Sequence, residues 1–241
     1  MYEPRTYRDW VSDKDLASFT VVVKETDLHI RARRDLAAEA LTAAKRCRSD
    51  LEGYIKAHTI FLTTLKPFEV EENAPPIVKE MAEATREVGV GPMAAVAGAI
   101  AEKVGRELLP FSDEIIVENG GDIFLKTQKE RFVGVYAGES AFTKKIAFSI
   151  LPEETPLGVC TSSGTVGHSL SFGYADAVIV FSPSTSLADA AATAIGNRVR
   201  LAEDIPDALE FAQNIKGLRG VAIVKGDKMG LWGQIKLSSA D

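Results

Sequence analysis

The chain has 241 residues, 46% of them apolar and 26% charged, with a formal net charge of −6 at pH 7. An apolar fraction of this size supports a buried core and argues against an intrinsically disordered chain. The acidic balance argues against a protein that binds nucleic acid or an anionic membrane by charge.

The first half of the chain predicts a strand hairpin and then three helices. Apolar and β-branched residues at 19–24 and 28–32 flank the turn residues 25–27, as in a hairpin. Apolar residues then recur at helical spacing in three segments: 35–58, 77–88 and 93–109. The third segment is rich in alanine and apolar on nearly all sides, so we expect a buried helix there. The segment 61–68 fits neither pattern.

Short apolar segments dominate the second half of the chain and predict mainly strands. The predicted strands are 114–117, 123–126, 131–136, 144–150, 158–161, 175–181, 220–224 and 231–237. Two helices are predicted at 186–200 and 207–215. The hairpin-like connections favour an α+β fold, with mostly antiparallel sheets and packed helices, over a doubly wound parallel sheet. We expect residues 1–241 to form a single domain. Two intimately packed α/β halves are the alternative.

Cysteine usage and the longest apolar stretch indicate a cytoplasmic protein. Cys47 and Cys160 are far apart and lack the spacing of a metal site, so they read as free thiols in a reducing compartment. Charged residues occupy the N-terminal segment 1–5, where a secretory signal would be apolar. The apolar stretch 93–101 is too short to span a membrane.

The segment from Cys160 to Asn197 stands apart because its only formally charged side chains are Asp176 and Asp189. Small hydroxyl residues and glycine take the place of charges, as in the run Thr161-Ser162-Ser163-Gly164-Thr165. Such residues let a ligand approach the backbone closely and offer many hydrogen-bond donors. A buried carboxylate without a partner is costly, so we expect a cation or a phosphate-bearing ligand beside Asp189.

Asp189 and Thr193 are four residues apart on a predicted helix and therefore project from the same face. Two interpretations are open. The first is a magnesium site, to which the carboxylate and the hydroxyl each give one oxygen. The second is purely structural, with the carboxylate favoured by the helix dipole and the hydroxyl bonded back to its own helix.

Asn119-Gly120-Gly121-Asp122 lies between two predicted strands, and Asn-Gly is a strong hairpin signal. The segment is therefore either a plain tight turn or a turn whose glycines admit a ligand. His168 follows the hydroxyl-rich run and is a candidate catalytic residue, although a lone histidine is more often structural.

Together these segments resemble the ApbE-like superfamily, whose founding activity is the transfer of FMN from FAD to a protein. The resemblance rests on an Ala/Gly-rich helix, then VENGGDI, then TSSGTVGHS, and finally the segment 188–194 around Asp189. Phrases such as VGPMAAVAGAIAE are similar to a short branch of that superfamily, uncharacterised protein family 0280, and this closer likeness covers nearly the whole chain.

The resemblance implies a duplicated T-fold-like architecture with the ligand between its units. It implies Asp189 and Thr193 as Mg²⁺ ligands, and FAD or FMN contacts from two segments, 119–122 and 161–165. The implied reaction is FMN transfer to a Ser or Thr hydroxyl of an acceptor protein, with AMP as the leaving group.

Two departures from the superfamily pattern keep other functions open. The transferases carry a lysine where this chain has only Ala95, Val96, Ala97 and Gly98. Of their His-Ile-x-Asp-Pro-x-Thr-Gly block, His168 and Gly173 are all that remains. One alternative is a non-catalytic accessory or sensor protein that binds a flavin or adenine nucleotide and is linked to sulfur assimilation. Another is an assembly role, because T-fold-like sheets often associate edge to edge into homo-oligomers.

Overall fold

Two antiparallel sheets and a layer of helices make up the part of the chain that the computed structural model describes, namely residues 15–138, 140–143, 145–164 and 172–239. The helices are α1 (Ala37–Ala57), α2 (Ile60–Thr63), α3 (Pro76–Val88), α4 (Val96–Leu108), α5 (Thr185–Gly196) and α6 (Ile205–Gln213). The strands are β1 (Ala17–Val23), β2 (Thr26–Ala32), β3 (Ile115–Asn119), β4 (Asp122–Lys126), β5 (Arg131–Gly134), β6 (Ile146–Ile150), β7 (Leu157–Ser162), β8 (Ala177–Ser182), β9 (Gly220–Lys225), β10 (Lys228–Gly233) and β11 (Lys236–Ser239).

The larger sheet has eight strands in the order β1-β2-β3-β4-β7-β8-β9-β10, and all of its neighbouring pairs are antiparallel. The smaller sheet has three strands in the order β11-β6-β5. Alternate residues of the large sheet enter two different cores. Val117, Phe124 and Val180 pack with the helices, whereas Ile116 and Phe181 pack against the small sheet. The molecule is therefore layered, with helices on one face of the large sheet and the small sheet on the other.

Helices α4 and α5 lie at the centre of the helical layer. Most of α4 is buried, including both of its glycines and Glu102, and α5 is buried along most of its length. Small side chains allow the two helices to approach closely. A Cβ atom placed on Gly98 would lie 2.5 Å from the carbonyl oxygen of Thr185 and 2.8 Å from Cβ of Asp189.

The predicted fold class is confirmed: the architecture is α+β, its sheets are antiparallel and its helices are packed against them. The hairpin, the long first helix and the buried alanine-rich helix lie where the patterns indicate. The predicted helix at 93–109 begins instead with a 3₁₀ turn, Pro92–Ala95, before α4. The ambiguous segment at 61–68 contains part of the single-turn helix α2.

The predicted strand at 231–237 is wrong as one element, because the chain changes sheets within it. β10 ends the large sheet at Gly233, and β11 then joins the small sheet through β6. Gly233 has φ +92°, a backbone conformation that side-chain-bearing residues rarely adopt. The apolar alternation continues across this break, so periodicity alone could not reveal it.

In the described residues, no single helix is long and apolar enough to cross a membrane. The consecutive helical segments Pro76–Val88 and Pro92–Leu108 reach the required length and composition only as a pair, and they are bent by 103° relative to each other.

Candidate functional site

The turn between β3 and β4 lies at the end of the large sheet. Asn119 pairs with Asp122 across it, and Gly120 and Gly121 have φ values of +70° and +107°. Positive φ at both central positions is the geometry of a type I′ hairpin turn, which selects glycine. The tight turn inferred from the sequence is therefore present, and it places the side chains of Asn119 and Asp122 beneath the helical layer.

Asp189 reaches from α5 to the beginning of α4. Its half-buried carboxylate accepts the backbone N–H of Gly98 at 2.8 Å and also that of Ala97. These N–H groups belong to the first turn of α4, where no intrahelical acceptor exists, and the N-cap residue Ala95 has no polar side chain. Asp189 therefore caps a neighbouring helix, which neither sequence interpretation anticipated.

Glu102 makes the reciprocal contact from α4 to α5. Its buried carboxylate accepts, at 2.6 Å, the N–H of Thr185, the first residue of α5. The same carboxylate forms an ion pair with Arg106 at 2.6 Å. Each helix thus supplies an acidic cap for the other. Sequence reasoning missed this role of Glu102. The available signal was an acidic residue at the end of an apolar helical stretch, because a buried charge requires a partner.

Asn119 ties the hairpin turn to the same helix terminus. Its side-chain amide donates to the carbonyl oxygen of Ala97 at 3.0 Å, and only 7% of the residue is exposed. On the other face of the sheet, Glu118 accepts the N–H of Gly121 at 2.9 Å and so fixes the turn. The turn, α4 and Asp189 therefore form one connected unit.

Asp122 is the second carboxylate of this unit. It is only 7% exposed, and its Oδ1 atom has no hydrogen-bond partner among the described residues. Burial raises the pKa of Asp122 well above its usual range, and the nearby negative charge of Asp189 raises it further. Burial also raises the pKa of Asp189 to about 7, although the N–H groups of Gly98 and Ala97 oppose this. The pair therefore requires a proton or a cation to be stable.

Cys160 lies beside this pair, on the strand next to β4. The register that joins Ile123 to Val159 places Cys160 opposite Asp122, on the helix-facing side of the sheet. Its thiol contacts the Asp122 carboxylate and lies 3.4 Å from the carbonyl oxygen of Thr185. Burial and the two carboxylates raise the pKa of the thiol, so it stays protonated. The prediction of two free cysteines is confirmed, since Cys47 is also unpaired and buried.

The hydroxyl-rich run borders the carboxylate pair but does not point as a whole toward it. Thr161 donates its backbone N–H to Asp122, whereas strand alternation places its side chain on the opposite face from Cys160. Ser162 faces the helices near Gly196, and Ser163 is half-buried. Gly164 is exposed, and its N–H donates to Ala175. Thr165 and His168 lie outside the described residues.

Thr193 is half-buried and lies one turn beyond Asp189 on α5, and this four-residue spacing places the two residues on the same face of the helix. Asp176, the other acidic residue of the low-charge segment, is located elsewhere. It accepts the N–H of Gly226 at 2.6 Å and lies 3.6 Å from Nζ of Lys225, which stabilises the turn between β9 and β10.

A shallow cleft lies beside the small sheet. Its lining includes Phe148, Arg219 and Lys236 and none of the described candidate site residues. The candidate site is therefore defined by the carboxylate pair and the helix terminus rather than by this cleft.

Comparison with known proteins relates the chain to a defined family. The family model described as AbpE bacteria matches residues 8–231. A UPF0280 protein of Methanocaldococcus jannaschii is 44% identical over 221 residues, covering 89% of this chain and 90% of that protein. A UPF0280 protein of Methanococcus maripaludis is 48% identical over 193 residues, covering 78% of each chain.

Solved structures show the same fold at low sequence identity. The flavinyl transferase ApbE of Pseudomonas stutzeri, in its apo form, aligns with a TM-score of 0.58 and 12% identity, covering 90% of this chain and 94% of that one. The flavin transferase ApbE of Vibrio cholerae aligns with a TM-score of 0.53 and 13% identity, covering 93% and 96%. At this level of identity the likeness concerns the fold.

Proposed function

The chain belongs to the UPF0280 family of ApbE-like proteins, and from this premise we propose that it binds a flavin nucleotide, FAD or FMN, together with Mg²⁺ at the start of α4. The observation that carries the proposal is the pair of carboxylates formed by the buried Asp122 and the half-buried Asp189. One oxygen of Asp122 has no hydrogen-bond partner among the described residues. The fold shared with two flavin transferases supports the choice of a flavin nucleotide.

The donors at the site fit a hard cation. Asp189 and Thr193 supply a carboxylate and a hydroxyl oxygen, and Mg²⁺ prefers oxygen ligands from one or two carboxylates, water and substrate phosphates. Within the described residues, no group of three or more His, Cys, Asp or Glu side chains could hold a metal ion. A metal ion here would therefore need ligands from outside these side-chain types. We assign Asp189 and Thr193 as protein ligands, with phosphate oxygens of the nucleotide and water completing the coordination. A bound Mg²⁺ would supply Lewis-acid polarisation of a phosphate oxygen.

The N-terminus of α4 and the Asp189 carboxylate together determine which ligand charge the candidate site favours. The first turn of α4 would attract a phosphate if its N–H groups were free. Asp189 already accepts those of Ala97 and Gly98, so the local positive potential is matched by a carboxylate. An anionic nucleotide approaching Asp189 would be repelled unless a cation lay between them. The arrangement thus favours a metal–nucleotide complex over a free phosphate.

The turn and the hydroxyl-rich strand would hold the nucleotide. In this proposal residues 119–122 line one side, with Gly120 and Gly121 admitting close approach, and residues 161–165 line the other. In FMN transfer, the hydroxyl oxygen of an acceptor Ser or Thr would form a bond with the FMN phosphorus of FAD. The bond from that phosphorus to AMP would break, and the hydroxyl proton would pass to a base, for which His168 is the candidate.

A non-catalytic flavin or nucleotide carrier is the second candidate, and one structural observation favours it. The transferases of the superfamily carry a lysine in the segment that here reads Ala95, Val96, Ala97 and Gly98. At Gly98 no side chain fits, because a Cβ atom would meet the backbone of Thr185 at 2.5 Å. The site then binds the nucleotide without turning it over.

One experiment separates the two functions. Purified protein is titrated with FAD in the presence of Mg²⁺, and flavin fluorescence reports binding while chromatography reports AMP and FMN. AMP release with labelling of a Ser- or Thr-containing acceptor identifies a transferase, and saturable binding without AMP identifies a carrier. Asp189→Asn should abolish either result, whereas Asp176→Asn, which removes the other carboxylate of the low-charge segment, should not. Absence of binding by any flavin or adenine nucleotide at high micromolar concentration would refute the proposal.

A further inference from the structure

One carboxylate oxygen of Asp122, the buried Oδ1 atom, lacks a hydrogen-bond partner among the described residues. A metal–nucleotide complex held only by Asp189 and Thr193 would not provide one. A buried carboxylate oxygen without a donor costs free energy comparable to or greater than a lost hydrogen bond. Native structures contain few such atoms, and each one calls for a specific explanation.

Among the described residues, the groups that act on Asp122 include two carboxylates and no cation. The described contacts of Asp122 are the Thr161 N–H and the Cys160 thiol, and the charges acting on it come from Asp189 and Glu118. Two N–H groups of α4 compensate Asp189, but no described N–H group reaches Oδ1 of Asp122. The partner of this oxygen is therefore not one of the described residues.

The position of Asp122 identifies that partner. It faces the helices from β4, on the same side of the sheet as Cys160, and Asp189 approaches it from α5 above. A ligand between the two carboxylates would have to be cationic, small and satisfied by oxygen donors. A divalent metal ion meets all three conditions, since paired carboxylates are its usual ligands.

We propose that Asp122 is itself a ligand of the divalent cation, so that the metal is held between β4 and α5 by two carboxylates. The inference rests on the metal site of the proposed function and deepens it in one respect. With two carboxylates the protein alone neutralises the charge of the cation. The metal therefore binds first, in the absence of nucleotide, and the nucleotide then binds the protein–metal complex.

The test uses Mn²⁺ and Mg²⁺ alone, with no nucleotide present. The electron paramagnetic resonance signal of free Mn²⁺ reports binding, and competition with Mg²⁺ reports specificity. The wild-type protein should bind Mn²⁺, and Asp122→Asn should weaken that binding at least tenfold. Asp189→Asn should have a similar effect. Asp176→Asn is the matched control because it removes a carboxylate from the β9–β10 turn, and it should leave the binding unchanged.

A thermal readout protects the test from variants that merely fold poorly. Asparagine is nearly isosteric with aspartate, so Asp122→Asn should melt at the same or a higher temperature than metal-free wild type, because a buried repulsive charge is gone. Saturating Mg²⁺ should raise the melting temperature of wild type and of Asp176→Asn, but not that of Asp122→Asn. Circular dichroism confirms that each variant is folded.

The outcomes also separate this inference from the proposed function. Equal Mn²⁺ affinity of wild type and Asp122→Asn would show that Asp122 is not a ligand. Binding of flavin with Mg²⁺, but of no cation in the absence of flavin, would overturn the inference and leave the function standing. Metal binding that depends on Asp122, in a protein that binds no nucleotide, would support the inference and refute the function.

Discussion

Replacing Gly98 by alanine tests whether α4 and α5 cross as closely as the structure shows. Gly98 lies in the first turn of α4, and its N–H donates to Asp189. The added Cβ would lie 2.5 Å from the carbonyl oxygen of Thr185 and 2.8 Å from Cβ of Asp189. The first of these neighbours is a backbone atom that cannot rotate away. The two helices must therefore move apart, and the hydrogen bond to Asp189 lengthens.

Two opposing contributions set the size of the effect. Alanine is a better helix former than glycine by about 0.8–1.0 kcal/mol. Overpacking in a well-packed interior typically costs about 1–3 kcal/mol. We therefore expect Gly98→Ala to lower the free energy of unfolding by about 1–2 kcal/mol, because the contact involves backbone and leaves little room for adjustment. Cation binding should weaken in parallel, since Asp189 is displaced with α5.

Gly53→Ala is the matched control. Gly53 also lies within a helix, α1, but an added Cβ would meet no atom within 4 Å. Only the propensity gain remains, so this variant should be more stable than wild type by about 0.5–1 kcal/mol. Urea unfolding followed by circular dichroism measures both variants. An equal gain in stability for Gly98→Ala and Gly53→Ala would refute the close helix crossing and the capping geometry built on it.

Three further predictions concern buried polar groups. Arg131→Met should lower the free energy of unfolding by about 3–5 kcal/mol at neutral pH, because it leaves the buried carboxylate of Glu114, 2.8 Å away, with one cation fewer. Burial is the largest single influence on the pKa of Glu114 and raises it, but the hydrogen bonds from Arg131 and Thr127 and the charge of Arg131 together lower that pKa below its ordinary value. The stability that Glu114 contributes is therefore present above the ordinary pKa near 4.5 and is lost as the pH falls below it. Acid titration of the unfolding midpoint should therefore be steep for wild type and flatter for the variant. Burial raises the pKa of Cys47 to about 11 and also raises that of Cys160. Both thiols should therefore react with Ellman's reagent slowly in native protein and rapidly in urea. Fast labelling of Cys160 in native protein would contradict its position under the helices. Glu102→Ala should cost about 1–3 kcal/mol, measured by thermal unfolding, because it leaves the first N–H of α5 without its buried acceptor; an unchanged melting temperature would contradict the reciprocal capping.

Local patterns in the sequence were sufficient to locate most of the elements. The 3.6-residue period of α1, the alanine-rich composition of α4 and the Gly120-Gly121 turn are encoded in residues that are close together in the chain. These signals also sufficed for the fold class, because hairpin connections imply antiparallel pairing. The segments that resemble the ApbE-like superfamily predict its fold, and the solved flavinyl transferase structure shares the fold of this chain.

The contacts that build the candidate site were beyond local patterns. The hydrogen bond from Gly98 to Asp189 joins residues 91 positions apart, and that from Thr185 to Glu102 joins residues 83 positions apart. The same sequence spacing of Asp189 and Thr193 suits a capping residue and a metal ligand equally well. Only the crossing of α4 over α5 shows that the carboxylate caps another helix, and only the strand register places Cys160 opposite Asp122.

The long separation between β6 and β11 along the chain has a consequence for synthesis on the ribosome. β5 and β6 emerge early, but the third strand of their sheet, which pairs with β6, is the last described element. A two-stranded hairpin is marginally stable by itself. The nascent chain therefore exposes one edge of β6 until Lys236–Ser239 has been synthesised.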